Sequence, residues 1–481
     1  MRKILALLLL LFSLAGCGQH REVRGLDDLQ SARIGVLNGL AHREELRAVF
    51  PGAKFQHYES LPLMCMALQG HKIDALICIE PGLEELLAGN PAFVQVPGLQ
   101  IRDSVCVAFR LDNVEMAEAF NDFLEISRAD GTLAKMEENW FAPGAPHTFY
   151  HARHQSGQPL LVGIEVGQSG LTVMADGEET GFEPEMMRRF GEYLSRPVEF
   201  VEMTGTGMIP ALVSSKVDAL VDAITPTSDR STSVLFSRPY YSCPLYVVAM
   251  DPAYKPAVRH ETLGHSLREN LLEDGRYKLI LKGLWITLLI MFSSLLLGSL
   301  LGAGLSWMKL RGSPLMHKIS HAYCELIEGI PIVVLLLFMF YVVFAASPIA
   351  AIVVAIITYS LHFAAGACEC FCNGLESVPH GQYEAGLALG FTDFGTLRYI
   401  VFPQALRQIL LLFKGKAVAL IENTAIVGFI AIQDLTKVTD IIRTQTYNSL
   451  IPLLVVGILY FLLARLIGWC VDALGDYLLK K

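Results

Sequence analysis

Hydrophobic and polar positions divide the chain into three regimes. From Leu26 to about Phe141, strand-like apolar runs (Ala32–Leu37, Ala75–Cys78, Val105–Phe109) alternate with helix-period segments (His42–Val49, Pro81–Leu87, Val114–Ala129). That alternation predicts an α/β fold. Residues 142–158, with Pro143, Pro146 and Gly157, read as a linker. A second α/β stretch runs from Pro159 to Met250, with strands at Leu160–Val166, Val198–Val201 and Asp218–Ala223, and helices opening at Gly181-Phe182-Glu183-Pro184-Glu185 and over Ile209–Leu212. After a connector, 252–278, whose charged part Ser266–Tyr277 reads as helical, the pattern changes to long uncharged runs. Gly283–Met308 carries no charge and, at 1.5 Å per residue, is long enough to cross a ~30 Å hydrocarbon core. Gly329–Cys368 is also uncharged, would be about 60 Å long as one helix, and is interrupted at Ser347-Pro348, so it predicts two spans. Arg407–Ile430, apolar except for Lys414, Lys416 and Glu422, and Leu450–Trp469, apolar except for Arg465, predict spans four and five.

Composition supports a membrane protein: 53% hydrophobic residues and a mean hydropathy of +0.43 are too apolar for a purely soluble chain. A net charge of -9 without a basic patch argues against nucleic acid as a partner. The ten cysteines lack paired CxxC spacing, and Cys368, Cys370 and Cys372, at steps of two, do not share one helical face, so no metal site is expected. The N-terminus has a basic start (Arg2, Lys3), an apolar run from Ile4 to Phe12, and Leu14-Ala15-Gly16-Cys17, the pattern of a signal peptide over 1–17. Its last four residues resemble a lipobox, which implies a lipid on Cys17 and an outer-face tether to the bacterial cytoplasmic membrane.

Between spans three and four stands a segment of unusual spacing: Glu384-Ala385-Gly386, three residues, Gly390, nine residues, then Ile400-Val401-Phe402-Pro403. Small residues let a helix approach its partner closely, Gly390 can end that helix, and Pro403 suits the first turn of the next. The segment resembles the EAA loop of bacterial ABC import permeases. That resemblance implies docking into a separate ATPase subunit through Glu384, Ala385, Gly386, Gly390, Ile400 and Pro403. Thr287-Leu288, Glu328-Gly329-Ile330-Pro331 and Pro403-Gln404-Ala405-Leu406-Arg407 resemble amino-acid permeases of the histidine/glutamine type. With the N-terminus outside, five spans put Lys309, Arg311, Lys318, the loop and Lys480-Lys481 in the cytoplasm, in agreement with the positive-inside rule.

Upstream, Ala129-Asp130-Gly131-Thr132-Leu133 and Asn139-Trp140-Phe141 resemble the second half of a polar-amino-acid substrate-binding protein. Thr225-Pro226-Thr227-Ser228-Asp229-Arg230 and Phe236-Ser237-Arg238-Pro239-Tyr240-Tyr241 resemble its first half. The order implies one circularly permuted type II periplasmic binding domain, a two-lobed α/β clamshell, made of 18–141 and 159–251. An all-α transmembrane permease domain with five helices follows over 279–481. In such a permuted domain, Tyr246–Ala249 and Val105–Phe109 should be neighbouring crossing strands.

A planar guanidinium suits a ligand carboxylate. By the resemblance, Arg230 and Thr227 bind that carboxylate while Thr225 and the backbone at Ala223 line the cleft. The family's ammonium-binding acid is replaced by Ile79, leaving Glu80 or Glu165 as candidate amine partners, though Glu80 reads better as a solvated helix N-terminal acid. Gln168 stands in place of the family's aromatic clamp, and Leu37 and Leu40 replace polar residues. Within the spans, Glu369, Lys414, Lys416 and Glu422 are functional candidates, with Glu422 the deepest and a candidate for the translocation path. Snorkelling is the simpler account of the other three.

The expected function is the permease subunit of an ABC importer with a fused binding domain, taking polar amino acids or related small solutes. It needs no cofactor, and without a Walker-type loop the ATPase must be a separate subunit. One chain supplies one membrane half, so a homodimer is expected. A ligand-gated channel or membrane-tethered solute sensor is the alternative, which the Glu384–Pro403 loop discriminates, since a channel needs no ATPase-docking helix. A tethered enzyme lacks a visible Ser/His/Asp or Cys/His constellation.

Overall fold

The computed structural model describes residues 22–38, 42–58, 60–79, 83–142, 147–153, 155–165, 171–175, 178–203, 205–254, 267–268, 271–272, 275–345, 347, 349–446 and 450–479. The signal-peptide reading, Cys17, Leu40, Glu80, Gln168 and most of the connector lie outside them. The chain divides into two compact units, one formed by Met1–Glu199, Ala219–Arg268 and Arg443–Ser449, the other by Phe200–Asp218, Glu269–Ile442 and Leu450–Lys481.

The first unit is α/β and two-lobed. Its strands in chain order are β1 (Arg33–Leu37), β2 (Lys54–Tyr58), β3 (Ala75–Ile79), β4 (Phe93–Val96), β5 (Arg102–Val105), β6 (Ala108–Arg110), β7 (Leu160–Ile164), β8 (Val173–Ala175), β9 (Glu178–Thr180), β10 (Val198–Glu202), β11 (Ala219–Leu220), β12 (Val234–Phe236) and β13 (Tyr241–Met250). One sheet runs β2-β1-β3-β13-β4, with β5 also on β13, and a second runs β10-β7-β11-β6-β12. Each sheet therefore takes a strand from the far side of the linker: β13 lies between β3 and β4, and β6 between β11 and β12.

Alternation explains why the central strands were legible. On β3 and β13, Ala75, Ile77, Leu245, Val247 and Ala249 enter one core with Leu46 and Phe50. Leu76, Cys78 and Val248 enter the other, with Met64 and Leu68. A strand buried on both faces reads as a continuous apolar run.

The expected strand Val105–Phe109 is two strands, because the chain changes sheets at Cys106–Val107. There Cys106 N–H donates to Ile224 O (2.9 Å) and Ser237 N–H to Val107 O (2.9 Å). Val105 faces Tyr241 across β5 and β13. Tyr246–Ala249 instead pairs with Ala75–Cys78 of β3, so the expected pairing of Tyr246–Ala249 with Val105–Phe109 is not formed and β13 meets β5 only through Tyr241–Pro244.

The second unit is helical. Among the described residues, Arg276–Arg311, Ala351–Glu376 and Leu450–Leu478 are long and apolar enough to cross a membrane. Pro314–Gly329 with Ile332–Val343, bent by 101°, makes a fourth if counted as one span. The helix Phe402–Thr424, expected as span four, carries Arg407, Lys414, Lys416 and Glu422 and does not qualify by composition. Helices Arg276–Arg311 and Ala351–Glu376 approach closely: a Cβ added to Gly302 would lie 2.7 Å from Ala367 Cβ. Close backbone approach through small residues is how helices associate where lipid supplies no hydrophobic drive.

Candidate functional site

Each unit carries one candidate site. In the first, the chain leaving β11 makes a tight passage to the short helix Ser228–Ser231. Thr227 caps that helix, its Oγ1 accepting from Arg230 N–H at 3.2 Å. Arg230 Nη1 donates to Thr225 O at 3.0 Å. Burial lowers the Arg230 pKa, while Asp222 and Asp103 pull it up.

Ala223 adopts φ 45°, a left-handed conformation unusual for a residue with a side chain. Its N–H is held at 2.7 Å by Oε1 of Glu183, which is 1% exposed. Glu183 also accepts from Tyr240 O–H and, at 3.1 Å, from Thr172 O–H. Burial nonetheless raises the Glu183 pKa, the three hydrogen bonds opposing it. Four of the expected residues, Arg230, Thr227, Thr225 and Ala223, are thus brought together; Glu165 is half-buried just after β7.

The residue missed is Asp103 on β5, buried, with Oδ1 accepting from Ser104 N–H (2.8 Å) and His42 Nε2 (3.2 Å). Thr225 O–H donates to the same carboxylate at 2.8 Å. The one sequence signal was an acid inside the apolar-flanked run Ile101-Arg102-Asp103-Ser104-Val105.

In the second unit, helix His380–Ala388 ends in a Schellman motif. Gly390 has φ 86°, its N–H donates to Leu387 O (3.0 Å), and Phe391 N–H donates to Gly386 O (3.2 Å). Gly386 is buried against the following segment, where an added Cβ would sit 2.5 Å from Thr396 Cγ2 and 2.9 Å from Ile400 Cδ1. Both glycines have the roles their spacing suggested.

Pro403 lies in the first turn of its helix, as expected, and the chain before it is already helical, from Asp393 through a π-helical turn at Leu397–Val401. A π turn absorbs the hydrogen bond that proline cannot donate. Arg311 Nη2 donates to Tyr383 O–H (2.7 Å) and Tyr383 O–H to Asp393 Oδ1 (2.5 Å), tying the loop together. Glu384 and Ala385 are exposed, as are Leu389 (75%), Phe394 (64%) and Tyr399 (66%).

Lys414 pairs with Asp472 (2.5 Å), and Lys416 with Glu328 (2.9 Å) and Glu369 (3.6 Å), each across helices. Glu422 lies on the exposed side of its helix.

Comparison with known proteins finds two families along the chain. The family of bacterial extracellular solute-binding proteins, family 3, matches residues 160–368. The family described as binding-protein-dependent transport system inner membrane component matches 284–480. The L-cystine transport system permease protein TcyL of Bacillus subtilis is 29% identical over 192 residues, 38% of this chain and 80% of that protein. The glutamate/aspartate import permease protein GltK of Escherichia coli O6:H1 is 28% identical over 194 residues, 38% of this chain and 87% of that one. A crystal structure of an amino acid ABC transporter with histidines is 27% identical, covering 42% of this chain and 94% of that one with a TM-score of 0.39. This chain is an importer permease that carries its own solute-binding segment, joining a family 3 extracellular solute-binding region to the inner membrane component of a binding-protein-dependent transport system.

Proposed function

We propose that the chain imports amino acids or close relatives of them. The first unit captures the solute outside the cell, and the second moves it in partnership with a separate ATPase. In this reading the chain is a homodimer of five-span subunits, the binding unit is one circularly permuted clamshell, and Cys17 carries a lipid tether. The names of the relatives, which specify cystine and glutamate/aspartate, support the solute class.

The observation that carries the reading is the loop Glu384–Pro403. It holds leucine and aromatic side chains out at the surface on a frame that Gly386 and Gly390 fix. A loop of that build suits docking to a partner subunit and has no use in a channel or a sensor. Arg230 takes the solute carboxylate in this reading.

Thermal unfolding of the full chain against single amino acids tests it. A ligand at 100 times its Kd stabilises by about 2.7 kcal/mol. Arg230→Ala should weaken the binding so found by at least about thirtyfold, the low end of the loss on truncating one partner of a buried charge pair. Equal affinity in both forms refutes the role of Arg230.

A further inference from the structure

A continuous hydrogen-bonded chain runs between the two lobes of the binding unit. It starts at Arg230 in the β7 lobe, whose Nη1 donates to Thr225 O at 3.0 Å. The Thr225 hydroxyl donates to Asp103 at 2.8 Å. Asp103 sits on β5, the strand that pairs with β13 just before the chain crosses to the other sheet. His42 Nε2 donates to Asp103 Oδ1 at 3.2 Å, and His42 Nδ1 faces Glu45 Oε2 at 3.1 Å. His42 and Glu45 belong to the start of helix Arg43–Val49 in the β1 lobe. The chain therefore begins beside the helix that Thr227 caps and ends on the first turn of a helix in the opposite lobe.

Two features distinguish this chain from a surface contact. The Asp103 side chain is only 4% exposed and that of His42 16%, so water competes weakly for these bonds. The Thr225 proton is also committed to Asp103, which leaves Thr225 as a joint between Arg230 and Asp103 and not as a free donor to solute.

We propose that the Thr225–Asp103 bond is a lobe-bridging latch and that His42, in the same lobe as Asp103, is the positioning residue that aims the carboxylate at Thr225, so that together they hold the binding unit toward its closed form before solute arrives. This rests on the clamshell reading above. Arginine 230, where that reading seats the carboxylate, is the latch's β7-lobe end, so solute and latch act on the same closure. A latch of this kind raises the fraction of chains already competent to bind, and apparent affinity falls as that fraction falls.

The test uses the full chain in detergent, without solute, bearing genetically encoded spin labels at Lys72 in the β1 lobe and Glu118 in the β7 lobe, both exposed. His42→Leu should shift the distance distribution to longer separations. His42→Gln, whose amide can donate to Asp103, should restore the wild-type distribution. Should His42→Leu fail to accumulate as folded chain, Asp103→Ala replaces it, removing both oxygens that accept from Thr225 and His42. Identical distributions for wild type and a folded latch variant overturn the proposal, as does a His42→Gln form as open as His42→Leu. Because no solute is present, this outcome is independent of the amino-acid screen, which alone decides the transport reading.

Discussion

Glu183 shows how one buried side chain can set the backbone of a site. Its carboxylate fixes the Ala223 N–H and Tyr240 O–H, and so holds the passage from β11 toward Arg230 in a left-handed turn. The cost is burial, which raises the Glu183 pKa above its ordinary 4.5. Between the unfolded and the higher folded value, the folded chain keeps a proton that the unfolded chain has lost. This group's contribution to stability is therefore full below the unfolded pKa and is lost as pH rises through the folded one. Glu183→Gln should remove that part of the slope, so the difference in unfolding midpoint between wild type and variant should change with pH above 4.5 and level off at higher pH. A difference constant across that range would show that Glu183 does not titrate there. In the sequence Glu183 was visible only as part of a helix start. Its role depends on Ala223 and Tyr240, which lie far along the chain, and no local pattern encodes such a meeting. Arg230 and Thr227 were legible through the resemblance of Thr225–Arg230 to a binding-protein motif, while the cap that Thr227 makes to the Arg230 N–H is local and belongs to the fold.

At the scale of elements, the loop from His380 to Pro403 was readable because glycine leaves a mark where geometry demands it. Gly390 has the positive φ of a helix end, and Gly386 has no room for a side chain. The π-helical turn at Leu397–Val401 was not readable, because i to i+5 bonding has no residue signature apart from the proline that follows it. The two kinds of residue can be separated by experiment. Leu389 is exposed and lies at the helix C-cap, so Leu389→Arg should leave the loop folded and the chain inserted while ATPase co-purification is lost. Gly386→Val, by contrast, forces a clash with Thr396 and Ile400 and should disturb the loop itself, seen as faster proteolysis between 380 and 403. Retained co-purification of Leu389→Arg would remove this face from the docking assignment. The cross-helix pairs of Lys414 and Lys416 show the converse limit. Snorkelling was the simplest reading of single charges in apolar runs, and only the packing of helices reveals that Asp472, Glu328 and Glu369 meet them.

At the scale of the whole molecule, the central strands were legible and the edges were not. β3 and β7 are apolar and buried. β2, at the edge of its sheet, is half-exposed and reads Lys54-Phe55-Gln56-His57-Tyr58, and β12 is three residues long, so neither stands out from its flanks. What sequence order did suggest was that the two α/β stretches make one body, and interleaving gives that idea a mechanical test. β13 is bonded on both sides to strands from before the linker, β3 and β4, and β6 is bonded on both sides to strands from after it, β11 and β12. Residues of the linker and of the helix before it add to this: Tyr150 O–H donates to Glu192 (2.8 Å), Arg153 N–H to Glu192 (2.5 Å), and Trp140 Nε1 to Glu185 (2.8 Å). A protease site inserted between Ser156 and Gly157, which are exposed, cuts the chain after those contacts. Since separating the pieces would tear an interior strand out of both sheets at once, the cleaved N-terminal piece should co-elute with the membrane piece in detergent. It should be released only at denaturant concentrations that unfold the uncut unit. Two tandem domains joined by a linker share no strands, so release of the N-terminal piece on cutting alone would rule out the permuted clamshell.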